Sequence, residues 1–214
     1  MRNRLGRSLF ATGVILIPTL TVAQFAPPRG DLSRAAFHDS MRKLWVDHVT
    51  WTRLYIVSAV GGLPDTKPTT DRLLQNQKDI GDAIAGFYGR EAGDKLTGLL
   101  RDHIMLAAEL VGAAKAGDQD KTADAKKRWY ANAEDIAEFL SKANPTHWPR
   151  ATLQGAMNAH LDQTLDEATH RIQGKYDEDI KDYERIVTHI LGLADTLSEG
   201  IIAQFPDKFS ARAN

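Results

Sequence analysis

The chain has 214 residues, 43% of them apolar and 26% charged, with a formal net charge of -1 and no cysteine. That balance belongs to an ordinary globular domain and gives no basic excess or aromatic-interleaved Lys/Arg block for nucleic acid. Without cysteine there is no disulfide, no thiolate metal site and no thiol nucleophile, so the core alone must hold the fold.

The first residues read as an export signal. Arg2, Arg4 and Arg7 form a basic start, Leu9 to Val22 is mostly apolar, and Thr21-Val22-Ala23 offers small residues for cleavage after Ala23. Residues 1–23 are expected to be the signal peptide and 24–214 one helical domain, periplasmic or secreted, with no membrane span after cleavage; an uncleaved anchor is the alternative. Gln24 to Gly30 is an extended lead-in and Asp31 an expected N-cap.

Phe37, Met41, Leu44, Trp45, His48, Trp51, Thr52, Tyr55, Ile56 and Ala59 then recur at steps of three and four, one face of a long helix. Gly61-Gly62 and the Pro64 to Pro68 stretch predict a loop, with Thr70 or Asp71 capping a second helix that ends at Tyr88-Gly89. A third helix runs from about Glu91 to Ala116 with His103 in its stripe, and a fourth starts at Asp120 or Thr122. Asn144-Pro145 breaks the chain, Trp148-Pro149 opens a fifth helix carrying His160, and Gly174 turns it tightly into a sixth. Phe205 and Phe209 are expected to cover one end of the bundle. The fold class is all-α, an antiparallel bundle of about six helices.

The stretch Arg72 to Gly81 matches Arg128 to Ala137 in frame, with Asn76/Asn132, Asp79/Asp135 and Ile80/Ile136 in register. This predicts repeated helical hairpins. His48, His103 and His160 each lie 14 residues before a turn glycine, at Gly62, Gly117 and Gly174. At 1.5 Å per residue they share one level, roughly 21 Å from the same end of the bundle. His189, Asp79 and Asp135 fall near that height on the returning helices.

A mid-height layer of His48, Asp79, His103, Asp135, His160 and His189 is therefore the candidate site. Imidazoles and carboxylates converging from several helices suit one transition-metal ion, with zinc, copper or iron ahead of calcium or magnesium. The competing explanation is a metal-free His-Asp-Asn network that sets helix register in a structural or interaction protein of the cell envelope. Glu167-Ala168-Thr169-His170 has the spacing of half a diiron motif, but no second copy exists, and it is expected to be a surface pair. Trp45, Trp51, Trp129 and Tyr130 are expected in the core. No phosphate loop, His-Glu-x-x-His or Gly-x-Ser-x-Gly is present. An enzyme, an oxidoreductase or metal-dependent hydrolase, would need an open coordination position.

Leu44-Trp45-x-x-His48-x-x-Trp51-Thr52-Arg53, Asn76-Gln77-x-Asp79-Ile80-Gly81, His103-Ile104, Trp129-Tyr130-x-Asn132, Asn144-Pro145 and Gln204-Phe205-Pro206-x-x-Phe209 together resemble an uncharacterised family of bacterial exported helical proteins. The resemblance spans nearly the whole mature chain and implies a bacterial, exported, one-domain protein. It carries no activity to transfer and leaves the chemistry and the protein partners open.

Overall fold

Three hairpins close at the same end in the same way. Each first helix ends on a glycine in the left-handed region, Gly62 at φ 66°, Gly117 at 72° and Gly174 at 72°. The amide just beyond each glycine then reaches back into the last turn: Leu63 N to Ser58 O at 2.9 Å, Asp118 N to Ala113 O at 3.1 Å, and Lys175 N to His170 O at 2.9 Å. The computed structural model describes residues 33–209, and the expected signal peptide lies outside them.

The helices are α1 (Arg34–Gly61), α2 (Thr66–Tyr88), α3 (Arg90–Lys115), α4 (Gln119–Ala143), α5 (Arg150–Ile172) and α6 (Tyr176–Gln204), followed by a short 3-10 turn at Pro206–Lys208. The fold is all-α, as the periodicity predicted. Three starts differ from expectation, the fourth helix beginning at Gln119 with Asp118 as its N-cap, whose side chain accepts from Lys121 N. The N-cap of α1 is Ser33, whose Oγ accepts from Ala36 N. The second helix begins at Thr66, taking Pro68 into its first turn, where a missing N-H costs nothing; the Pro64 to Pro68 stretch is thus only half loop.

The six helices form a closed ring in chain order, α6 packing back on α1, while α1, α3 and α5 also touch one another across the middle. Side chains on these three inner helices meet in layers, because residues seven, three, four and eight positions from each histidine point to the same axis. Met41, Leu96 and Leu153 make one buried layer, and Trp45, Leu100 and Met157 the next. Beyond the histidines come Thr52, Ala107 and Thr164, then Ile56, Val111 and Ala168. The last trio forms an apolar cluster separate from the main core. A polar layer divides the two.

At the opposite end Phe37, Phe87, Phe205 and Phe209 interlock, with ring centres 5.1 to 5.7 Å apart, so the tail does cover the bundle. The α4–α5 connection is anchored by Asn144, whose Nδ2 donates to Gly200 O at 2.9 Å, and by fully buried Trp148, whose Nε1 donates to Thr196 O at 3.1 Å. Among the described residues α6 alone has the length and apolarity of a membrane span; in the bundle its apolar face carries Ile186, Ile190, Leu193, Ala194 and Leu197 into the core.

Helices α2 and α3 approach closely through Gly81 and Gly93. A Cβ on Gly93 would meet Gly81 O at 2.5 Å and Ala85 Cβ at 2.6 Å. Gly93→Ala should therefore cost about 1–3 kcal/mol by overpacking. Gly98→Ala, in the same helix with nothing within 4 Å of the new Cβ, should gain up to about 1 kcal/mol. Urea midpoints of the two variants should move in opposite directions; equal midpoints would refute the close approach.

Candidate functional site

Histidine at the middle of an apolar stripe has nowhere to go but the bundle axis. His48 from α1, His103 from α3 and His160 from α5 are all buried there. The His160 ring centre lies 5.6 Å from that of His48 and 6.4 Å from that of His103. His189, on α6 and only half-buried, stacks on His160 at 6.4 Å with 9° between ring planes. The four histidines read from the sequence therefore do come together.

The aspartates do not join them. Asp79 is half-exposed, accepts from Gln75 Nε2 at 2.9 Å and pairs with Arg72 at 3.6 Å. Asp135 is exposed and lines open clefts between α3 and α4. Both sit at the expected height but face outward, because the buried positions of their turn are taken by Ile80 and Ile136, one residue further on.

The asparagines take the inward positions. Asn76 Nδ2 donates to Leu44 O at 3.0 Å, and Asn132 Nδ2 donates to Leu99 O at 3.1 Å. In each case the carbonyl belongs to the residue four before the histidine of the same hairpin. In the third hairpin His189 Nε2 makes the equivalent bond to Ala156 O at 2.9 Å, four before His160. His189 thus stands where the other hairpins carry Asn.

These bonds fix proton positions. A carbonyl only accepts, so neutral His189 carries its proton on Nε2 and a lone pair on Nδ1. The Asn132 amide nitrogen is committed to Leu99, so its oxygen faces His103 Nδ1 at 2.9 Å and accepts that proton, leaving a lone pair on His103 Nε2. His48 Nδ1 and His160 Nδ1 have no partner. Neither do Gln77 Oε1 and the indole nitrogens of Trp45 and Trp129, although these tryptophans lie against His48 and His103 at 5.8 and 5.3 Å. Gln77 spends its amide hydrogens on Leu73 O and Asn76 Oδ1.

Just beyond the layer is an apolar cavity lined by Thr52, Ala107, Thr164, Ile56, Val111 and Ala168, with Leu73 and Trp129 in its wall. Its volume is about 30 Å³. On the other side His189 lines an open cleft with Gln163, Lys181, Glu184, Arg185 and Thr188.

A second polar cluster was misread as surface. Glu167 is 1% exposed and accepts from Arg53 Nη1 at 2.6 Å, and the same nitrogen donates to buried Asp179 at 2.6 Å. Arg171 also donates to Asp179, and His170 Nδ1 lies 2.6 Å from buried Asp182. Arg53 of α1, half-buried beside the stripe, is the partner, since one cation can hold carboxylates from two helices.

Among the described residues no three His, Asp or Glu side chains stand as they are in metal-holding geometry. Two imidazoles on one tetrahedral ion keep ring centres about 5 Å apart, so the observed 5.6 and 6.4 Å would have to close by about an ångström. No family model matches the chain, and neither a curated protein nor a solved structure is significantly similar to it.

Burial, with the neighbouring His103, pushes His48 down to about 3. Burial pushes His103 to about 4 against the Asn132 bond, and takes His160 well below its ordinary 6.5. Glu167 goes the other way, raised to about 7 by burial and held back by Arg53. Each histidine is neutral when folded and protonates near 6.5 when unfolded, so the unfolded chain holds more protons below that pH. Stability from the layer is complete above about pH 6.5 and is lost as pH falls towards 3, at about 1.4 kcal/mol per pH unit per histidine. Glu167 binds its proton more tightly folded, so its contribution falls as pH rises from 4.5 to about 7. In chelator, urea unfolding at pH 7.5 and 5.0 should show a marked loss at the lower pH, reduced by about one histidine's slope in His103→Gln. An unchanged slope would contradict a buried neutral His103.

Proposed function

We propose that this is an exported bacterial helical bundle that binds a transition-metal ion, zinc, copper or iron, or a small ligand at its buried histidine layer, and that its three hairpins are copies of one unit. The observation that carries it is the convergence of His48, His103 and His160 on the bundle axis with unpartnered nitrogens on His48 and His160. Neutral imidazoles are what such ions take. Asn132 supports the reading because it holds His103 in one tautomer, with Nε2 free, as a supporting partner does for a metal-ligating histidine. The ligand set of this proposal is His48, His103 and His160, with His189 at its solvent side; Asp79 and Asp135 are no longer part of it. The copied unit is supported by the shared spacings, since His48, His103 and His160 are 55 and 57 apart, and Asn76, Asn132 and His189 are 56 and 57 apart.

Elemental analysis of native protein should find near-stoichiometric metal. Added metal should raise thermal stability of the wild type by mass action, about 2.7 kcal/mol at a hundred times Kd, and His160→Ala should abolish both uptake and that gain. The metal-free register network predicts otherwise: His160→Ala would destabilise equally with and without chelator. For export, N-terminal sequencing of protein from the soluble envelope fraction should start near Gln24; an intact Met1 there would overturn it.

A further inference from the structure

The cavity beside the histidines has a cause in the sequence. One turn past His48, His103 and His160 the inner helices carry Thr52, Ala107 and Thr164, whereas the layer on the other side of the histidines carries Trp45, Leu100 and Met157. Three small residues at one level leave the axis unfilled there, and the space runs from that level, one turn from the histidines, past Ile56, Val111 and Ala168 towards Ile172.

Its walls suit an apolar occupant. The two buried threonines donate their hydroxyl hydrogens to the carbonyls of His48 and His160 at 2.8 and 2.9 Å, and Tyr55 at the rim turns its hydroxyl towards Ala108 O at 3.5 Å. A buried water needs two to four polar partners, and the deep wall offers only the hydroxyl lone pairs of Thr52 and Thr164 among apolar side chains. The cavity volume, about 30 Å³, exceeds the roughly 10–15 Å³ that one water needs and falls well short of the 150 Å³ that holds an aromatic ring. The size is that of two or three heavy atoms.

We infer that this axial cavity binds a small, weakly polar molecule of two or three heavy atoms, held against the histidine layer through its Thr52, Ala107 and Thr164 level. Its relevance to chemistry rests on the metal reading, since an ion held by three imidazoles from one level keeps a free position that can face along the axis. The cavity itself does not depend on that ion. Tyr55, Ala114, Thr169 and Ile172 lie towards the hairpin-glycine end and make its rim.

Xenon is the probe, because it is apolar and of this size. With the full chain in chelator, 129Xe NMR should show one saturable bound signal, and a xenon-pressurised crystal should place the atom between the histidines and Ile56. Ala107→Leu should weaken binding at least tenfold; should that variant not fold, Ala168→Val is the smaller filling and should weaken it severalfold. Loading the wild type with cobalt(II) should shift or broaden the bound xenon signal, as a paramagnetic ion one layer away must. Xenon found elsewhere, undiminished binding in the filled variants, or hydrogen-bonded water filling the cavity in a crystal would overturn the inference. Failure of cobalt to bind while xenon still does would sink the metal reading alone; cobalt bound with no effect on xenon would overturn the contact between cavity and layer.

Discussion

Everything in this bundle is arranged around keeping three imidazoles neutral and dry. A polar ring on the axis of a helical core is costly unless its helices are fixed relative to one another. The fixing comes from the outer helices, each of which sends one N-H donor to the carbonyl four residues before an inner-helix histidine, from Asn76, Asn132 and His189. That carbonyl already accepts its own helical bond, so the outer donor ties helix to helix without unsatisfying either. The layers above and below then fall into register because they sit at whole turns from the histidines. Even the division of the core into two apolar clusters follows from the polar level between them.

Height was legible in the sequence and facing was only partly so. Counting residues from Gly62, Gly117 and Gly174 placed the histidines and His189 together, because rise per residue is fixed and the hairpins close at the same end. The same arithmetic put Asp79 and Asp135 in the layer, where their helices turn them to solvent. The stripe itself held the correction: Leu73, Asn76, Ile80 and Ile84 keep steps of three and four, and Asp79 does not belong to that series. Glu167 failed for the opposite reason. It lies beside Ala168 in the α5 stripe, and a lone carboxylate there looks like surface until Arg53, 114 residues away in sequence, is known to face it. Long-range charge pairing leaves no periodic trace.

The three hairpins are alike in spacing and unlike in what touches each imidazole. His103 is held in one tautomer by Asn132. In the first hairpin Gln77 intervenes, taking up the Asn76 oxygen and leaving His48 Nδ1 without a bond. In the third, a second imidazole replaces the amide altogether and lies half in solvent against His160. One ring is thus held through its Nδ1 by an amide while the other two are held by packing against neighbouring rings, and the stack of His160 on His189 connects the dry axis to an open cleft.

The unpartnered atoms limit what the layer can hold. His48 Nδ1, His160 Nδ1, Gln77 Oε1 and the indole nitrogens of Trp45 and Trp129 are five buried polar atoms around one level. At about 1–3 kcal/mol each for a buried unsatisfied group, their sum is of the order of a whole domain's stability. On the metal reading, an ion satisfies lone pairs only. The imidazole nitrogens and the glutamine oxygen have lone pairs to give, but an indole N-H is a donor and needs an acceptor. A bare cation would therefore leave both tryptophans unsatisfied, whereas an ion that brings its own water or an anion supplies acceptor oxygen as well.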